Sequence, residues 1–341
     1  MAQNDIGIDL GTTSVIINVE GQGIVLNEPT IVAVDTRTDS VLAVGEAAYK
    51  MVGRTPAHIV ATFPLEDGVI ADYHLTKEIV RRFVLKVYNS RIVKPRVAVC
   101  VPASITGVEN DAVVEAALSA GARQVYLIEE PIAAALGCGI DILKPKGHMV
   151  VDIGGGTTDA AVISLGGKVL SNSVKVAGNT FDKALVHYLR IKYGILVGKK
   201  SAENLKKEIG CCSRTLGYEK RGEIKGRSLV NHLPQKLSLT TADIYEPMIE
   251  CAQEIVGAAK QVLERTPPEL AGDIYEEGIY LTGGCAQMMG LAEFMSEKLK
   301  VQVKVADDPV NCVSRGTAKS LEMTNKLESG FRDATPGLGK R

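Results

Sequence analysis

The fold is decided by two related stretches, Ile6-Gly-Ile-Asp-Leu-Gly-Thr-Thr-Ser-Val-Ile-Ile-Asn-Val-Glu-Gly21 and Val150-Val-Asp-Ile-Gly-Gly-Gly-Thr-Thr-Asp-Ala-Ala-Val-Ile-Ser-Leu-Gly166. In both, an Asp lies near the end of an apolar strand, a turn of Gly and Thr-Thr follows, and a second apolar strand ends at a glycine. The copies lie about 143 residues apart, which is close to the size of one domain. We therefore expect two similar domains, each of which begins with this β-hairpin.

Strand-like and helix-like stretches alternate along the rest of the chain. Residues 97–101 and 125–128 are short apolar runs typical of buried strands, and residues 104–121 between them have a helical pattern. Further helices are predicted at 180–193, 202–213 and 242–265. Such alternation predicts sheets with helices on both faces. The tail from Glu328 is rich in glycine, and we expect it to be frayed or disordered.

Composition excludes several classes of function. The net charge of −1, the absence of Trp and an aromatic content of 4% do not indicate a nucleic-acid partner. Seven cysteines without CxxC spacing predict reduced thiols, and five scattered histidines do not indicate a zinc site. No secretory signal is evident, and no apolar run reaches the roughly 20 residues that cross a bilayer. We therefore expect a cytoplasmic protein.

The duplicated turn is a candidate phosphate site. A Gly-Thr-Thr turn between two strands presents N–H groups and hydroxyls that suit a phosphate oxyanion, although a single copy is also an ordinary hairpin turn. Two facing copies can hold a polyphosphate from both sides, and Asp9 and Asp152 can hold a hydrated Mg²⁺ between them. The sequence contains neither a GxxxxGK(S/T) motif nor a strand-to-helix GxGxxG motif. The duplication therefore predicts a nucleotide in a cleft between two lobes.

These motifs resemble those of a known superfamily. Asp9-Leu-Gly-Thr-Thr-Ser14 and Asp152-Ile-Gly-Gly-Gly-Thr-Thr-Asp159 are similar to the two phosphate loops of actin, sugar kinases and DnaK-type chaperones, and Ile279-Tyr-Leu-Thr-Gly-Gly-Cys-Ala286 is similar to their adenosine motif. Other stretches resemble the MreB/Mbl family of bacterial actin homologues, among them Gly23-Ile-Val-Leu-Asn-Glu-Pro29, Asp67-Gly-Val-Ile-Ala-Asp72 and Leu263-Glu-Arg-Thr-Pro-Pro-Glu-Leu270. The similarity runs from about residue 6 to about residue 320.

The resemblance implies an α/β, actin-like two-lobed fold. Its two duplicated ribonuclease-H-like domains would hold ATP or ADP with Mg²⁺ in the interlobe cleft. Lobe I would comprise residues 1–145 plus 311–341, with a small insert at about 33–65. Lobe II would comprise residues 146–310, with a small insert at about 181–244.

The resemblance also implies roles for individual residues. The phosphates would be held by Gly11, Thr12, Thr13 and Ser14 on one side and by Gly154, Gly155 and Gly156 on the other, and Asp9 and Asp152 would bind Mg²⁺ through water. The ribose and adenine would contact Glu203, Asn204, Lys206, Gly283, Gly284, Cys285 and Ala286. Glu130 would orient the attacking water with help from Thr157. The alternative for Glu130 is an ordinary acidic residue at a helix N-terminus, ahead of Pro131.

A short segment before residue 97 is a candidate membrane loop. Ile92 and Val93 form an apolar pair flanked by Arg91, Lys94 and Arg96. An apolar tip with basic flanks can enter a bilayer interface beside anionic headgroups, and in MreB-like proteins a hydrophobic loop at this position is a membrane anchor. The alternative is an ordinary strand entry whose apolar residues pack inward.

Some residues depart from the usual family pattern. Thr13-Ser14 makes the first loop similar to that of the chaperones, and Cys285 replaces a glycine beside the adenine. Adjacent Cys211 and Cys212 are also unusual, although buried reduced thiols explain them. These changes affect the expected hydrolysis rate and nucleotide preference more than nucleotide binding itself.

The function implied by the resemblance is that of a cytoskeletal ATPase. Its subunits would assemble head to tail into paired protofilaments and hydrolyse ATP slowly. The filaments would lie on the inner face of the cell membrane, where they would direct peptidoglycan synthesis and rod shape with membrane proteins of cell-wall elongation. The alternatives are a monomeric chaperone-like ATPase and a small-molecule kinase of the same superfamily.

Overall fold

The computed structural model of the chain describes residues 5–88, 94–102, 105–214 and 219–336. Its strands are β1 (Ile6–Leu10), β2 (Ser14–Val19), β3 (Gly23–Pro29), β4 (Val32–Asp35), β5 (Ser40–Val44), β6 (Ile59–Thr62), β7 (Leu65–Glu66), β8 (Val69–Ile70), β9 (Arg96–Val101), β10 (Gln124–Glu129), β11 (His148–Ile153), β12 (Thr158–Ser164), β13 (Gly167–Val174), β14 (Ile195–Leu196), β15 (Arg221–Ser228), β16 (Pro234–Thr240), β17 (Ile279–Thr282), β18 (Val303–Val305) and β19 (Phe331–Asp333). Its α-helices are α1 (Glu46–Tyr49), α2 (Tyr73–Val87), α3 (Gly107–Ser119), α4 (Glu130–Gly137), α5 (Gly178–Tyr193), α6 (Lys199–Ile209), α7 (Tyr245–Arg265), α8 (Pro268–Glu277), α9 (Leu291–Leu299) and α10 (Cys312–Ser320). Short 3₁₀ turns cover Ala242–Ile244, Gly284–Gln287 and Pro309–Asn311.

Two large sheets repeat one topology. The first has the strand order β19-β10-β9-β1-β2-β3, and the second has the order β13-β12-β11-β17-β18. In the first, β1 pairs antiparallel with β2 and parallel with β9; in the second, β11 pairs antiparallel with β12 and parallel with β17. The two hairpins found in the sequence therefore occupy equivalent places in the two sheets. We call the first sheet with its helices lobe I and the second sheet with its helices lobe II.

Helices cover the sheets because their apolar residues recur on one face. Helix α2 is typical: the carboxylate of Asp72 accepts a hydrogen bond from the backbone N–H of Leu75 at 2.9 Å and so begins the helix. Its buried face includes Ile79 and Phe83, four residues apart, which pack into the core of lobe I. The core of lobe II is larger and includes the fully buried Phe181 of α5.

A third apolar cluster joins the two lobes. Helix α4 lies between them: Ile132 and Leu136 belong to the same buried cluster as Ile128 of lobe I and Val150 of lobe II. Helix α10 packs against α4 and against β1. The chain passes from lobe I to lobe II after α4 and returns to lobe I before α10.

Each lobe carries a smaller sheet. Strands β5, β4 and β6 form one beside lobe I, and β14, β15 and β16 form one beside lobe II. They fall within the inserts expected at about 33–65 and 181–244. The lobe boundaries at residues 145 and 310 stay a prediction.

The tail differs from the sequence-based expectation. Residues 331–333 are not frayed but form β19, which pairs antiparallel with β10. The backbone N–H of Glu129 donates to the carbonyl of Gly330 at 2.7 Å, and the ring of Phe331 stacks on that of Tyr126 with 5.3 Å between centroids. An otherwise open sheet edge and one aromatic contact order this segment.

A helix that crosses a bilayer needs about 20 predominantly apolar residues. In the described parts of the chain, none of the helices has both the length and the apolar character that a membrane span requires.

Candidate functional site

A cavity of about 1000 Å³ lies between the lobes. Its floor is made by the two hairpin turns, β1–β2 from lobe I and β11–β12 from lobe II. The predicted site residues that line it are Asp9, Gly11, Thr12, Thr13, Ser14, Glu130, Asp152, Gly154, Gly155, Gly156, Thr157, Glu203, Lys206, Gly283, Gly284 and Cys285. Its volume is in the range of small-molecule and cofactor sites.

The two turns have the same internal geometry. In the first, the N–H of Gly11 donates to the carbonyl of Ser14 at 3.0 Å; in the second, the N–H of Gly154 donates to the carbonyl of Thr157, also at 3.0 Å. The turns also face each other closely, since a Cβ added to Gly155 would lie 2.9 Å from the Cβ of Thr13, and one added to Gly156 would lie 2.5 Å from the hydroxyl oxygen of Thr12. Glycine is therefore required where the lobes approach, and the turns form a narrow two-sided cradle.

Buried carboxyl groups concentrate at the base of the cradle. Burial raises the pKa of Asp9 to about 8, with a further contribution from the charge of Asp152. Burial also raises the pKa of Asp152 to about 6, although the hydroxyl of Thr282 donates to this carboxylate at 2.6 Å and opposes the shift. The pKa of Glu130 is raised well above its usual value by burial and then by the charges of Asp159, Asp152 and Asp9. These groups repel one another, so a cation between them would be favourable.

The arrangement fits a hydrated magnesium ion. Across the described ranges, no three His, Cys, Asp or Glu side chains are grouped so as to hold a metal ion directly. Asp9 and Asp152, however, come one from each lobe and line the same cavity. Magnesium keeps most of its waters and needs only one or two carboxylates, so this pair is an appropriate donor set.

Glu130 is the first residue of α4, directly ahead of Pro131, and it lines the cavity together with Thr157. The structure is thus compatible with both of its predicted roles, an acidic residue in the first helical turn and a carboxylate facing the phosphate cradle. The charge that contributes most to raising its pKa is that of Asp159, a buried residue that the sequence reasoning did not select. Asp159 lies opposite Asp152 in the β11–β12 register.

The lobe II wall is built from α6 and from the turn after β17. Gly283 has φ +84°, and a Cβ there would lie 2.8 Å from the amide nitrogen of Ile153, so the backbone passes close to β11. Cys285 lines the cavity, and its thiol lies 3.6 Å from the carbonyl oxygen of Gly154. Met288 and Met289 line the same wall and make it apolar.

Two of the predicted residues lie away from the cavity. Asn204 is exposed and does not line the cavity, although its neighbour Glu203 does. Ala286 is buried in the core of lobe II and does not line the cavity either. Ile92 and Val93, the candidate membrane loop, lie outside the described residues.

The structure adds contacts that sequence reasoning missed. The ammonium of Lys206 is held by the carboxylate of Asp182 at 2.8 Å and by the carbonyl of Gly178 at 2.8 Å. At the mouth of the cleft, the hydroxyl of Tyr49 in lobe I donates to the carboxylate of Glu203 in lobe II at 3.3 Å. These partners are far apart in sequence, and no local motif indicates them.

Comparison with known proteins decides the family. A family model described as MreB/Mbl protein matches residues 3–329. The chain belongs to the MreB/Mbl family. This MreB/Mbl chain is 48% identical over 328 residues to the cell shape-determining protein Mbl of Bacillus subtilis strain 168, covering 96% of this chain and 98% of that protein. It is also 48% identical over 332 residues to the cell shape-determining protein MreB of Escherichia coli K12, covering 95% of this chain and 94% of that protein.

Solved structures confirm the fold. MreB5 of Spiroplasma citri bound to ADP superposes with a TM-score of 0.89 at 39% identity, covering 95% of this chain and 98% of that one. The MamK double helical filament superposes with a TM-score of 0.77 at 19% identity, covering 94% of this chain and 99% of that one, which supports the fold alone. The predicted α/β, actin-like two-lobed fold is therefore confirmed for this MreB/Mbl member.

Proposed function

We propose that this chain is a cytoskeletal ATPase that binds ATP or ADP with Mg²⁺ between its lobes and polymerises into filaments. The observation that carries the proposal is the pair of equivalent hairpin turns facing each other across one cavity, each with an Asp at its base. Relatives of similar length support it, because MreB5 of Spiroplasma citri was solved with ADP and with AMPPNP. We propose that the filaments control cell shape, and relatives that are named cell shape-determining proteins support this.

ATP hydrolysis in this chain would require two contributions: positioning of the phosphates and the attacking water, and neutralisation of the phosphate charge. Bound Mg²⁺ supplies charge neutralisation at the β- and γ-phosphates. The turns at Gly11 and Gly154 hold the phosphates from opposite lobes, and Asp9 and Asp152 orient the waters of the ion. Glu130 orients the attacking water, with Thr157 beside it. Phosphoryl transfer depends mainly on such positioning, so a slow ATPase needs no further catalytic group.

Head-to-tail assembly would follow from a heterologous contact. A contact between two different surfaces of identical subunits forms an open filament when it does not close into a ring. We propose that such protofilaments pair, lie on the inner face of the membrane, and guide cell-wall elongation proteins that make peptidoglycan.

The membrane part of the proposal rests on Ile92 and Val93. Of the basic residues flanking them, Arg96 is already ion-paired with the buried carboxylate of Asp5. We propose that Arg91 and Lys94 contact the anionic headgroups. A two-residue apolar tip binds weakly, so membrane affinity would come from the many subunits of a filament.

Sedimentation tests the filament. We expect a pellet above a critical concentration with ATP and Mg²⁺, and its loss with EDTA or in Asp152→Asn, which keeps the shape of the side chain but removes its charge. If the protein binds ATP yet stays in the supernatant at every concentration, the monomeric chaperone-like ATPase takes the place of this proposal. Phosphorylation of an added small molecule would instead indicate a kinase.

Anionic liposomes test the membrane loop. We expect them to increase the pelleted fraction, and we expect the double variant Ile92→Ser, Val93→Ser to abolish that increase while pelleting without liposomes persists. Val230→Ser is the matched control, because Val230 is 88% exposed at a different loop. Equal loss in the control and the double variant would contradict a specific loop.

A further inference from the structure

Two cysteines meet where the chain crosses between the lobes. The first crossing begins at Cys138, directly after α4, and leads to β11 of lobe II. The second crossing follows β18 and ends at Cys312, the first residue of α10. Val310 and Val313, on either side of Cys312, line the interlobe cavity. The two thiols are therefore located at the joint between the lobes, below the cleft.

Tight packing of α4 on α10 holds these cysteines together. A Cβ added to Gly137 would overlap the backbone of Cys312, with the Cα of Cys312 only 2.9 Å away. A Cβ added to Gly316 would lie 2.8 Å from the amide nitrogen of Gly137. The helices thus touch backbone to backbone, which leaves little freedom for Cys138 and Cys312 to move apart.

The sulfur atoms are already in contact. The thiol of Cys138 donates to the sulfur of Cys312 at 3.9 Å. The guanidinium of Arg315 lies 3.5 Å from the sulfur of Cys312 and is itself ion-paired with Asp308 at 2.8 Å. The hydrogen bond from Cys138, followed by Arg315, lowers the pKa of Cys312 and so favours its thiolate.

We propose that Cys138 and Cys312 are a disulfide site, and that a peroxide oxidant joins the two interlobe crossings through them. The residues are 174 positions apart in sequence, and Cys138 is half-buried while Cys312 is fully buried. Cys138 is the more exposed of the two residues, so the oxidant reaches it first, and Cys312 completes the bond. This site is independent of the proposed function, since it requires neither nucleotide nor filament.

The chemistry balances with hydrogen peroxide as the oxidant. The sulfur of Cys138 loses its proton to the solvent and attacks one peroxide oxygen, and the O–O bond breaks to give a sulfenic acid and hydroxide. That hydroxide takes the proton from Cys312 and leaves as water. The thiolate of Cys312 then attacks the sulfur of Cys138, the S–O bond breaks, and a second hydroxide leaves. Two sulfurs lose one electron each, and the peroxide gains both.

Bond formation needs only a small movement. The sulfurs must approach from 3.9 Å to the length of a disulfide, about 2.05 Å. Rotation of one cysteine about its Cα–Cβ bond between staggered rotamers moves the sulfur by about 3 Å. The close backbone packing already described supplies the rest of the required proximity.

The disulfide would restrain both crossings together. Any rotation of one lobe against the other bends the segments that connect them, as in hinge motions generally. A bond between the crossings opposes that bending, and it also closes a long loop in the unfolded chain. The oxidised protein should therefore unfold at a temperature several degrees higher than the reduced protein, and dithiothreitol should reverse the shift.

Peptide mapping gives the decisive test. After mild peroxide treatment, alkylation and trypsin digestion, we expect a linked pair of peptides, residues 124–146 and 305–315, each of which contains a single cysteine. Its mass should be lower than the sum of the two peptides by two hydrogen atoms. The linked pair should disappear in Cys138→Ser and after reduction.

A matched variant tests whether another cysteine pair is responsible for the effect of peroxide. Cys211→Ser removes a thiol from the adjacent pair Cys211 and Cys212 and should leave the linked peptides and the thermal shift intact. Recovery of Cys138 and Cys312 in separate alkylated peptides after peroxide treatment would overturn the proposal. A thermal shift that persists in Cys138→Ser would overturn the restraint as well.

Discussion

Replacing Lys206 with Met removes a cation that lies beneath the cleft in lobe II. The side chains of Lys206 and Asp182 are only 9% and 4% exposed, and their charged atoms are 2.8 Å apart. Lys206 also donates to the carbonyl of Gly178 at the start of α5. Methionine fills nearly the same volume, so the substitution leaves a buried carboxylate and a buried carbonyl without their partner.

The expected loss of folding stability in Lys206→Met follows from the burial of the ion pair. Removing one partner of a buried ion pair costs about 3–5 kcal/mol, because the remaining charge is desolvated and uncompensated. The neighbouring Lys207 is the matched control: it pairs with Glu203 at 2.6 Å, but its side chain is 67% exposed. An exposed pair one helical turn apart contributes about 0.3–0.5 kcal/mol, so Lys207→Met should cost far less.

The stability deficit of Lys206→Met should depend on pH through the ionisation of Asp182. Burial raises the pKa of Asp182, and Lys206 opposes that rise. Without Lys206 the folded-state pKa rises further above the unfolded value, so the folded form holds its proton more tightly than the unfolded form. Stability from this proton is present below the unfolded pKa and is lost as pH rises through the folded pKa. The deficit of Lys206→Met should therefore be larger at pH 8 than at pH 5.

Urea unfolding followed by far-ultraviolet circular dichroism measures these differences. The double variant Asp182→Asn, Lys206→Met should recover part of the loss, because it removes the unpaired charge. Equal unfolding midpoints for the Lys206 and Lys207 variants, or a deficit that shrinks as pH rises, would refute the reasoning.

Three further predictions concern packing. Gly316→Ala should destabilise by about 3 kcal/mol through overlap with α4, whereas Gly257→Ala on α7, where a Cβ meets nothing within 4 Å, should stabilise by about 0.5–1 kcal/mol; thermal melts compare them. Phe181→Ala should cost about 3–5 kcal/mol in urea unfolding, and Tyr275→Ala, which is 71% exposed, less than about 0.5 kcal/mol. Deletion from Phe331 onward should open the edge of β10 and increase light scattering on storage.

Much of the fold and the cradle could be predicted from sequence because the relevant information is local. Asp9 and Asp152 each lie a few residues from their own Gly-Thr-Thr turn, and hairpin turns are specified by adjacent residues. The duplication then places both at one cleft. Helical periodicity also explains why Asn204 does not line the cavity. Glu203 and Lys206 share one face of α6, whereas Asn204 is turned about 100° away from Glu203.

What could not be predicted depends on residues brought together only by the fold. Tyr49 and Glu203 are 154 residues apart, and neither belongs to a pattern that indicates the other. The sequence predicts a frayed tail because Phe331 is the single aromatic residue in a stretch rich in polar residues and glycine, and this prediction is wrong. The order of the tail comes from the exposed edge of β10, which local sequence does not reveal.

The strand β19 and the helix α10 have a consequence for synthesis on the ribosome. Lobe I is made from both an early and a late part of the chain, whereas lobe II is made from the continuous part between them. Although β1 leaves the ribosome first, its sheet cannot be completed until residues 312–333 have been translated. Lobe II can therefore finish folding before lobe I. Strand β1 and its neighbours stay incompletely covered until α10 and β19 have been synthesised.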